Sequence, residues 1–234
     1  GVVTSLTTLQ QALAQRGHEV VIFAPAYPGH EDGNDKVVRL PSVKWSKTCY
    51  PCLSPRGLGK DVLAGQGFDL VHSHHPFTMA LLAKRLTDKH GLALVYTFHT
   101  MLQEFSQYVP VFQHAGERLL TRVFLRHCRQ ADRVVVSTGV VRDFLREQGV
   151  RTPIAVVAAG VPLLTPAPQG RERVRRRLGL SDDIPVLLYA GRLAKEKQLD
   201  FLLRSLTALS HTHDFRLCLA GGGPRERHLR ELAR

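Results

Sequence analysis

Gly191, Arg192 and Lys197 are the residues of this chain best suited to chemistry. They come directly after the apolar run Val186 to Ala190, which reads as a strand, and Lys197 stands at the mouth of a helix expected over 198–209. A strand that turns at a glycine and then offers two cations aims positive charge at one point. Arginine can fork onto two phosphate oxygens and lysine adds a point charge, so the pattern suits a diphosphate. The rival reading is a solvated basic turn in which Lys195 and Glu196 pair with their neighbours.

Histidines form a second group. His72, His74 and His75 close one expected strand and His99 closes the next. His72 and His74 fall on one side of their strand, because side chains alternate between faces. Metal binding, packing at a strand end and contact with a ligand or acceptor, the last assigned to His75, all remain open. No Asp or Glu cluster accompanies these histidines, so no metal is expected. His99, after Val95 to Phe98, is expected to turn its imidazole away from the core, with the aromatic segment that ends at Tyr108 beside it.

Glycines supply the third set. Gly1 opens onto a helix expected over 2–15, with Val3, Leu6, Leu9 and Leu13 as its apolar positions, where free backbone N–H groups favour phosphate; a plain tight turn is the alternative. Gly221, Gly222 and Gly223 before Pro224 make a turn of the same kind. It lacks the Lys-Ser/Thr of a Walker loop, so ATP hydrolysis is not indicated.

These residues need a frame, and the sequence supplies one. Short apolar strands are expected at 19–24, 37–40, 69–73, 92–98, 133–137 and 154–157, with helices at 57–65, 76–89, 111–130 and 139–148. This is the alternation of βαβ units on a parallel sheet. A Pro-rich stretch after Gly160 reads as a linker, and the alternation restarts with a helix at 171–178, strands at 186–190 and 215–220, and a helix at 225–232. The expected architecture is therefore α/β, with an N-terminal domain over 1–164 and the start of a second over 165–234. The conspicuous residues gather at the carboxyl ends of strands, where open parallel sheets bind ligands, and a cleft between two domains is expected.

The chain has 234 residues, of which 44% are hydrophobic and 22% charged, an ordinary globular composition. It opens without Met and stops inside a helical pattern, so both ends are expected to be cut. No apolar run reaches the ~18 residues of a membrane span. Net charge +12 asks for an anionic partner. Arg118, Arg122, Arg126, Arg129 and Arg133 recur along one helix face, with Leu119, Leu120, Val123 and Phe124 on the other. The face is either simply solvated or drawn to anionic lipid. Nucleic acid is disfavoured, because basic and aromatic residues do not interleave and the charge is not gathered in one tail. Cys49 and Cys52 form a Cys-x-x-Cys without a second pair, and are expected to be incidental loop residues.

Taken in order, 1–6 (Gly-Val-Val-Thr-Ser-Leu), 71–77 (Val-His-Ser-His-His-Pro-Phe), 96–100 (Tyr-Thr-Phe-His-Thr), Gly191-Arg192-Leu193 with Glu196-Lys197, and 219–224 (Leu-Ala-Gly-Gly-Gly-Pro) resemble the retaining glycosyltransferases of the two-Rossmann-domain (GT-B) architecture. The family is that of glycosyltransferase family 4 and group 1, and the branch most like this chain makes glycosyl diacylglycerols and phosphatidylinositol mannosides. The resemblance implies that Arg192 and Lys197 grip the donor diphosphate, that His99 lies near the transferred sugar, and that Gly1, Gly191, Gly222 and Gly223 bind the donor. It implies a nucleotide sugar, UDP- or GDP-hexose, as substrate, with no cofactor and no metal. The implied acceptor is a lipid such as diacylglycerol at the cytoplasmic membrane face, met through His75, Tyr108, Arg118, Arg122 and Arg126. Pro162 replaces the family's usual linker Asp, and the paired glutamates that hold the donor sugar would lie beyond Arg234, so the chain alone is not expected to turn over. A soluble sugar acceptor, a non-catalytic family member and, more remotely, a basic nucleic-acid-binding protein are the alternatives.

Overall fold

The computed structural model describes residues 2–27, 29, 32, 36–43, 51–99, 113–161, 163, 165 and 167–233, with backbone alone for 113–117 and 120. The chain divides into two compact units, Gly1–Pro162 and Leu163–Arg234.

The first unit opens with helix α1 (Val2–Ala14). Gly17, at φ +85°, ends it: the Gly17 N–H reaches the Ala14 carbonyl and the His18 N–H the Leu13 carbonyl. That pair of bonds needs a left-handed residue, which glycine adopts at no steric cost. β1 (Ile22–Pro25) and β2 (Val37–Leu40) then pair in parallel. Two-residue strands β3 (Ser42–Val43) and β4 (Cys52–Leu53) form an antiparallel pair that leads into the short helix α2 (Pro55–Gly59).

The main sheet is parallel and runs β5 (Leu70–Ser73), β6 (Ala93–Phe98), β7 (Arg133–Val136), β8 (Ile154–Val156) in that order. Helices α3 (Thr78–His90), α4 (Gln113–Gln130) and α5 (Gly139–Glu147) make the crossovers. Along β6 the even positions Leu94, Tyr96 and Phe98 are buried and meet Phe124, Leu125 and Cys128 of α4, with Val134, Val136 and Leu145 completing the core. Burying a side chain such as Phe124 contributes about 2–3 kcal/mol. The odd positions of β6 are thereby committed to the other face, which is where Thr97 and then His99 fall. The Leu94 N–H donates to the Asp132 carboxylate (2.7 Å), fixing the start of β6 against the turn before β7. Leu82 and Leu86 on α3 serve a second cluster with Leu40, Leu53 and Leu63.

The second unit comprises α6 (Gly170–Arg177), β9 (Val186–Ala190), a 3-10 turn at Lys195–Lys197, α7 (Leu199–Ser210), β10 (Arg216–Ala220) and α8 (Glu226–Leu232). β9 and β10 pair in parallel. Leu193, Leu199 and Leu229 form its core with Tyr189, Leu202, Leu203 and Leu219.

Five sequence expectations are corrected. The helix expected at 57–65 lies at Pro55–Gly59, because Ser54 caps it, accepting from the Gly57 N–H, and Pro55 supplies a ready-made first turn. Cys52 belongs to β4, not to a loop. On α1 the apolar Val3 is exposed, while Gln10 is buried with its amide donating to the Val20 carbonyl (3.1 Å). On α4, Leu119 is exposed; Phe124 is buried as expected, and Leu125, His127 and Cys128 complete the buried stripe. Lys197 lies within the 3-10 turn, and Gln198, at φ +49°, separates it from α7.

Candidate functional site

The parallel register of β5 and β6 brings the histidines together. His72 Nε2 meets Thr97 Oγ1 at 2.6 Å, and two residues further along each strand His74 Nδ1 meets His99 Nε2 at 2.8 Å. The rings of His72 and His74 lie 4.0 Å apart by centroid, and those of His74 and His99 stack at 5.1 Å. The sequence placed His72 and His74 on one side of their strand and His99 at the end of the next, but did not pair them. Their signal was available: with i, i+2 alternation on both strands, His72 with His74 and Thr97 with His99 form two same-face pairs at the carboxyl ends of adjacent strands.

His75 leaves this group. Its Nδ1 accepts the Phe77 N–H (3.2 Å), its ring stands edge-on to Phe77, and its charge would be felt by His127 of α4. His127 is buried, with its ring beside Tyr96. Alternation explains the split, since His75 projects to the core side that Ser73 also faces.

Burial governs the protonation of all these rings. It pushes His72 down to about 4, helped by His99, and His74 down to about 3, helped by His72 and His99. Burial, with His127 nearby, brings His75 to about 4, and burial also lowers His99 and His127. A histidine held neutral in the fold takes up its proton more readily when unfolded. Stability is therefore full above the ordinary value of 6.5 and drains as the pH falls through about 4 for His72 and His75 and about 3 for His74. Urea midpoints of the first unit are expected to fall steadily between pH 6.5 and 4. His75→Phe, which keeps the ring and removes the titration, should flatten that slope; an unchanged slope would contradict the assignment. Among the described residues no group of three or more His, Cys, Asp or Glu is arranged to hold a metal ion.

In the second unit the loop leaving β9 carries the cations. Arg192 Nη2 binds Glu196 Oε1 at 2.6 Å while its side chain stays 43% exposed, and the Tyr189 hydroxyl donates to the Arg192 carbonyl (3.0 Å). Lys197 is exposed. The backbone beneath them continues the strand pairing: the Gly191 N–H bonds the Ala220 carbonyl (3.0 Å), Leu193 N–H bonds Gly222 (2.9 Å) and Arg225 N–H bonds Leu193 (3.0 Å). Two backbones this close leave no room for side chains. A Cβ on Gly221 would stand 1.9 Å from the Gly191 oxygen, and one on Gly223 2.4 Å from the Leu193 oxygen. Gly222 faces open space. Of the four glycines expected to bind donor, Gly191 and Gly223 thus have packing reasons to be glycine, a Cβ on Gly191 standing 2.8 Å from the Tyr189 hydroxyl, and Gly222 has none among the described residues. Asp200, at the start of α7, completes the frame by binding Arg225 and, at 2.7 Å, His228 Nε2.

Arg118, Arg122, Arg126 and Arg129 are exposed on one face of α4, as is Arg133 at the start of β7. Gly1, Tyr108 and Cys49 lie outside the described residues.

Comparison with known proteins follows the same division. Residues 1–164 match the family Glycosyltransferase Family 4, and residues 170–234 match Glycosyl transferases group 1. An alpha-monoglucosyldiacylglycerol synthase of Streptococcus pneumoniae is 26% identical over 245 residues, covering 100% of this chain and 55% of its own length. A GDP-mannose-dependent alpha-mannosyltransferase of Mycobacterium tuberculosis is 29% identical over 233 residues, covering 95% of this chain and 59% of its own. A D-inositol 3-phosphate glycosyltransferase of Nocardioides is 32% identical over 151 residues, covering 61% and 31%. The solved sucrose-phosphate synthase of Thermosynechococcus elongatus superposes with a TM-score of 0.73 at 20% identity, covering 99% of this chain and 60% of that one, a likeness of fold. The chain spans 55% and 59% of the first and second of these relatives. With parallel α/β units, strand-end histidines and a match that runs through the whole of the first unit, the chain belongs to glycosyltransferase family 4.

Proposed function

We propose that this chain is part of a retaining, metal-independent glycosyltransferase that moves a hexose from a UDP- or GDP-sugar to a lipid acceptor such as diacylglycerol, working peripherally at the cytoplasmic face of the membrane. The observation that carries the reading is the loop after β9, where Arg192 and Lys197 are presented on a backbone stitched to the Gly221–Gly223 run. In this reading Arg192 forks onto the donor diphosphate and Lys197 adds charge, while His99 contacts the transferred sugar. The bond from the anomeric carbon to the diphosphate oxygen breaks as the acceptor oxygen bonds to that carbon on the same face. The departing diphosphate takes the acceptor's proton, so no pair of carboxylates of the glycosidase kind is required. Each well-placed cation supplies about 2.7–4 kcal/mol by analogy with oxyanion donors. Two together reach only the lower edge of the ~8–23 kcal/mol that enzymes provide, and sugar positioning must supply the rest.

The lipid acceptor draws support from the diacylglycerol relative and from the arginine face of α4, where each basic residue near an anionic surface adds about 1 kcal/mol. Among the described residues no helix is long and apolar enough to cross a membrane, so surface attraction would have to serve. The inositol phosphate relative favours a second reading, the same chemistry on a soluble acceptor.

The enzyme that carries this chain, given labelled UDP-glucose or GDP-mannose with diacylglycerol in anionic vesicles or with inositol phosphate in solution, decides between them. Label in a chloroform-soluble product is expected, with Glu at 118, 122 and 126 together releasing the enzyme from vesicles. Label only in a soluble product would establish the second reading, and no transfer from any nucleotide sugar would remove both.

A further inference from the structure

We propose that His74 is a positioning residue for His99, holding its imidazole in one ring orientation so that Nδ1, and not Nε2, meets the ligand. That the ligand is a sugar hydroxyl rests on the glycosyltransferase reading above; the hold of one histidine on the other does not.

Two imidazoles 2.8 Å apart share a single N–H between His74 Nδ1 and His99 Nε2, one ring donating and the other accepting. His99 Nε2 is therefore committed, and Nδ1, with no hydrogen-bond partner among the described residues, is left for a ligand. His74 is itself braced. The His72 ring packs 4.0 Å from it by centroid, and His72 is tied through Nε2 to Thr97 Oγ1 on the same strand as His99. The four side chains form a closed brace across the ends of β5 and β6. Burial keeps the rings neutral near pH 7, so the shared N–H is not replaced by two facing donors. The shared N–H can sit on either ring, so the contact couples the two tautomers and fixes the ring orientation. An imidazole without such a partner divides its population between flipped ring orientations, and only part of that population presents the right atom; a hydroxyl can donate or accept, so Nδ1 serves in either tautomer.

The experiment is ¹⁵N NMR on histidine-labelled protein, combined with transfer kinetics. In the unmodified protein a through-hydrogen-bond ¹⁵N–¹⁵N coupling is expected to link His74 Nδ1 and His99 Nε2, with the nuclear Overhauser contacts of the His99 ring reporting one ring orientation. His74→Phe keeps a ring against His72 and removes the nitrogen, and His99 should then report both ring orientations. His74→Asn, whose amide reaches the place of Nδ1 and can donate or accept, should restore a single one. In the transfer assay His74→Phe is expected to lower kcat by about tenfold or more with donor KM changed less than about twofold, and His74→Asn to stay within about threefold of the parent, the pattern of lost orientation without lost binding. Two His99 ring orientations in the unmodified protein, a single one in His74→Phe, or an unchanged kcat in that variant would each overturn the positioning role. A single His99 orientation in a protein that transfers no sugar would overturn the proposed function and leave the His74 contact standing.

Discussion

Arg192→Ala is expected to lower turnover of the enzyme by about a hundredfold or more, the scale set by removing one well-placed charge stabiliser at a reacting group. The Glu196 contact makes this the more severe of the two cation deletions. Glu196 is 12% exposed at its side chain and holds Arg192 at 2.6 Å, so the alanine variant leaves a carboxylate beside the proposed place of the phosphate oxygens. Loss of attraction is then joined by repulsion. Lys197→Ala removes an exposed charge that has no ion-pair partner among the described residues, and should cost somewhat less. Glu196→Gln placed on top of Arg192→Ala is expected to recover part of the lost rate, which a purely architectural role for Arg192 would not produce. Steady-state kcat from labelled product checks all three, and near-normal turnover in both single variants would remove the assigned roles.

The second large effect is on stability. Gly221→Ala is expected to destabilise the second unit by about 3 kcal/mol or more, combining the ~1–3 kcal/mol of an overpacked site with loss of backbone bonds worth about 1 kcal/mol each. The added carbon would stand 1.9 Å from the backbone oxygen of Gly191, an atom with no freedom to swing aside. The pair must open, and the bonds from Gly191 to Ala220 and from Leu193 to Gly222 go with it. Gly222→Ala, one residue away with nothing within 4 Å, is the matched control and should stay within about 1 kcal/mol of the parent. Urea midpoints separate the two; equal losses would mean that close backbone approach is not what the glycine run is for.

Where local pattern determines structure, the sequence could be read closely. The run Val186 to Ala190, bounded by Pro185 and Gly191, emerges as β9 with its ends unchanged, and Val37–Leu40 does the same for β2. β3 and β4 escaped notice because two residues carry no alternation to recognise. Gln10 could not be found from hydrophobic periodicity, since a polar side chain is buried there with its amide bonded to the Val20 carbonyl ten residues away. Gln198 escaped for a related reason: a left-handed glutamine has no compositional mark. The histidines were half legible. Their strand-end positions could be seen in the chain, whereas which ring meets which follows from the register of β5 against β6, set by the core residues on the opposite face.

The stitching of the β9 loop to the glycine run makes the front of the second unit a single mechanical piece. Leu193 is held from both sides, by Gly222 through its N–H and by Arg225 through its carbonyl, and Arg225 in turn clasps Asp200 at the root of α7. The Arg192 loop is thereby tied, through these backbone bonds and the Arg225–Asp200 pair, to the starts of α7 and α8. Capture of an anion there would register as a tightening of the unit as a whole, and the same linkage means that damage at Gly221 disarms the cations without touching them.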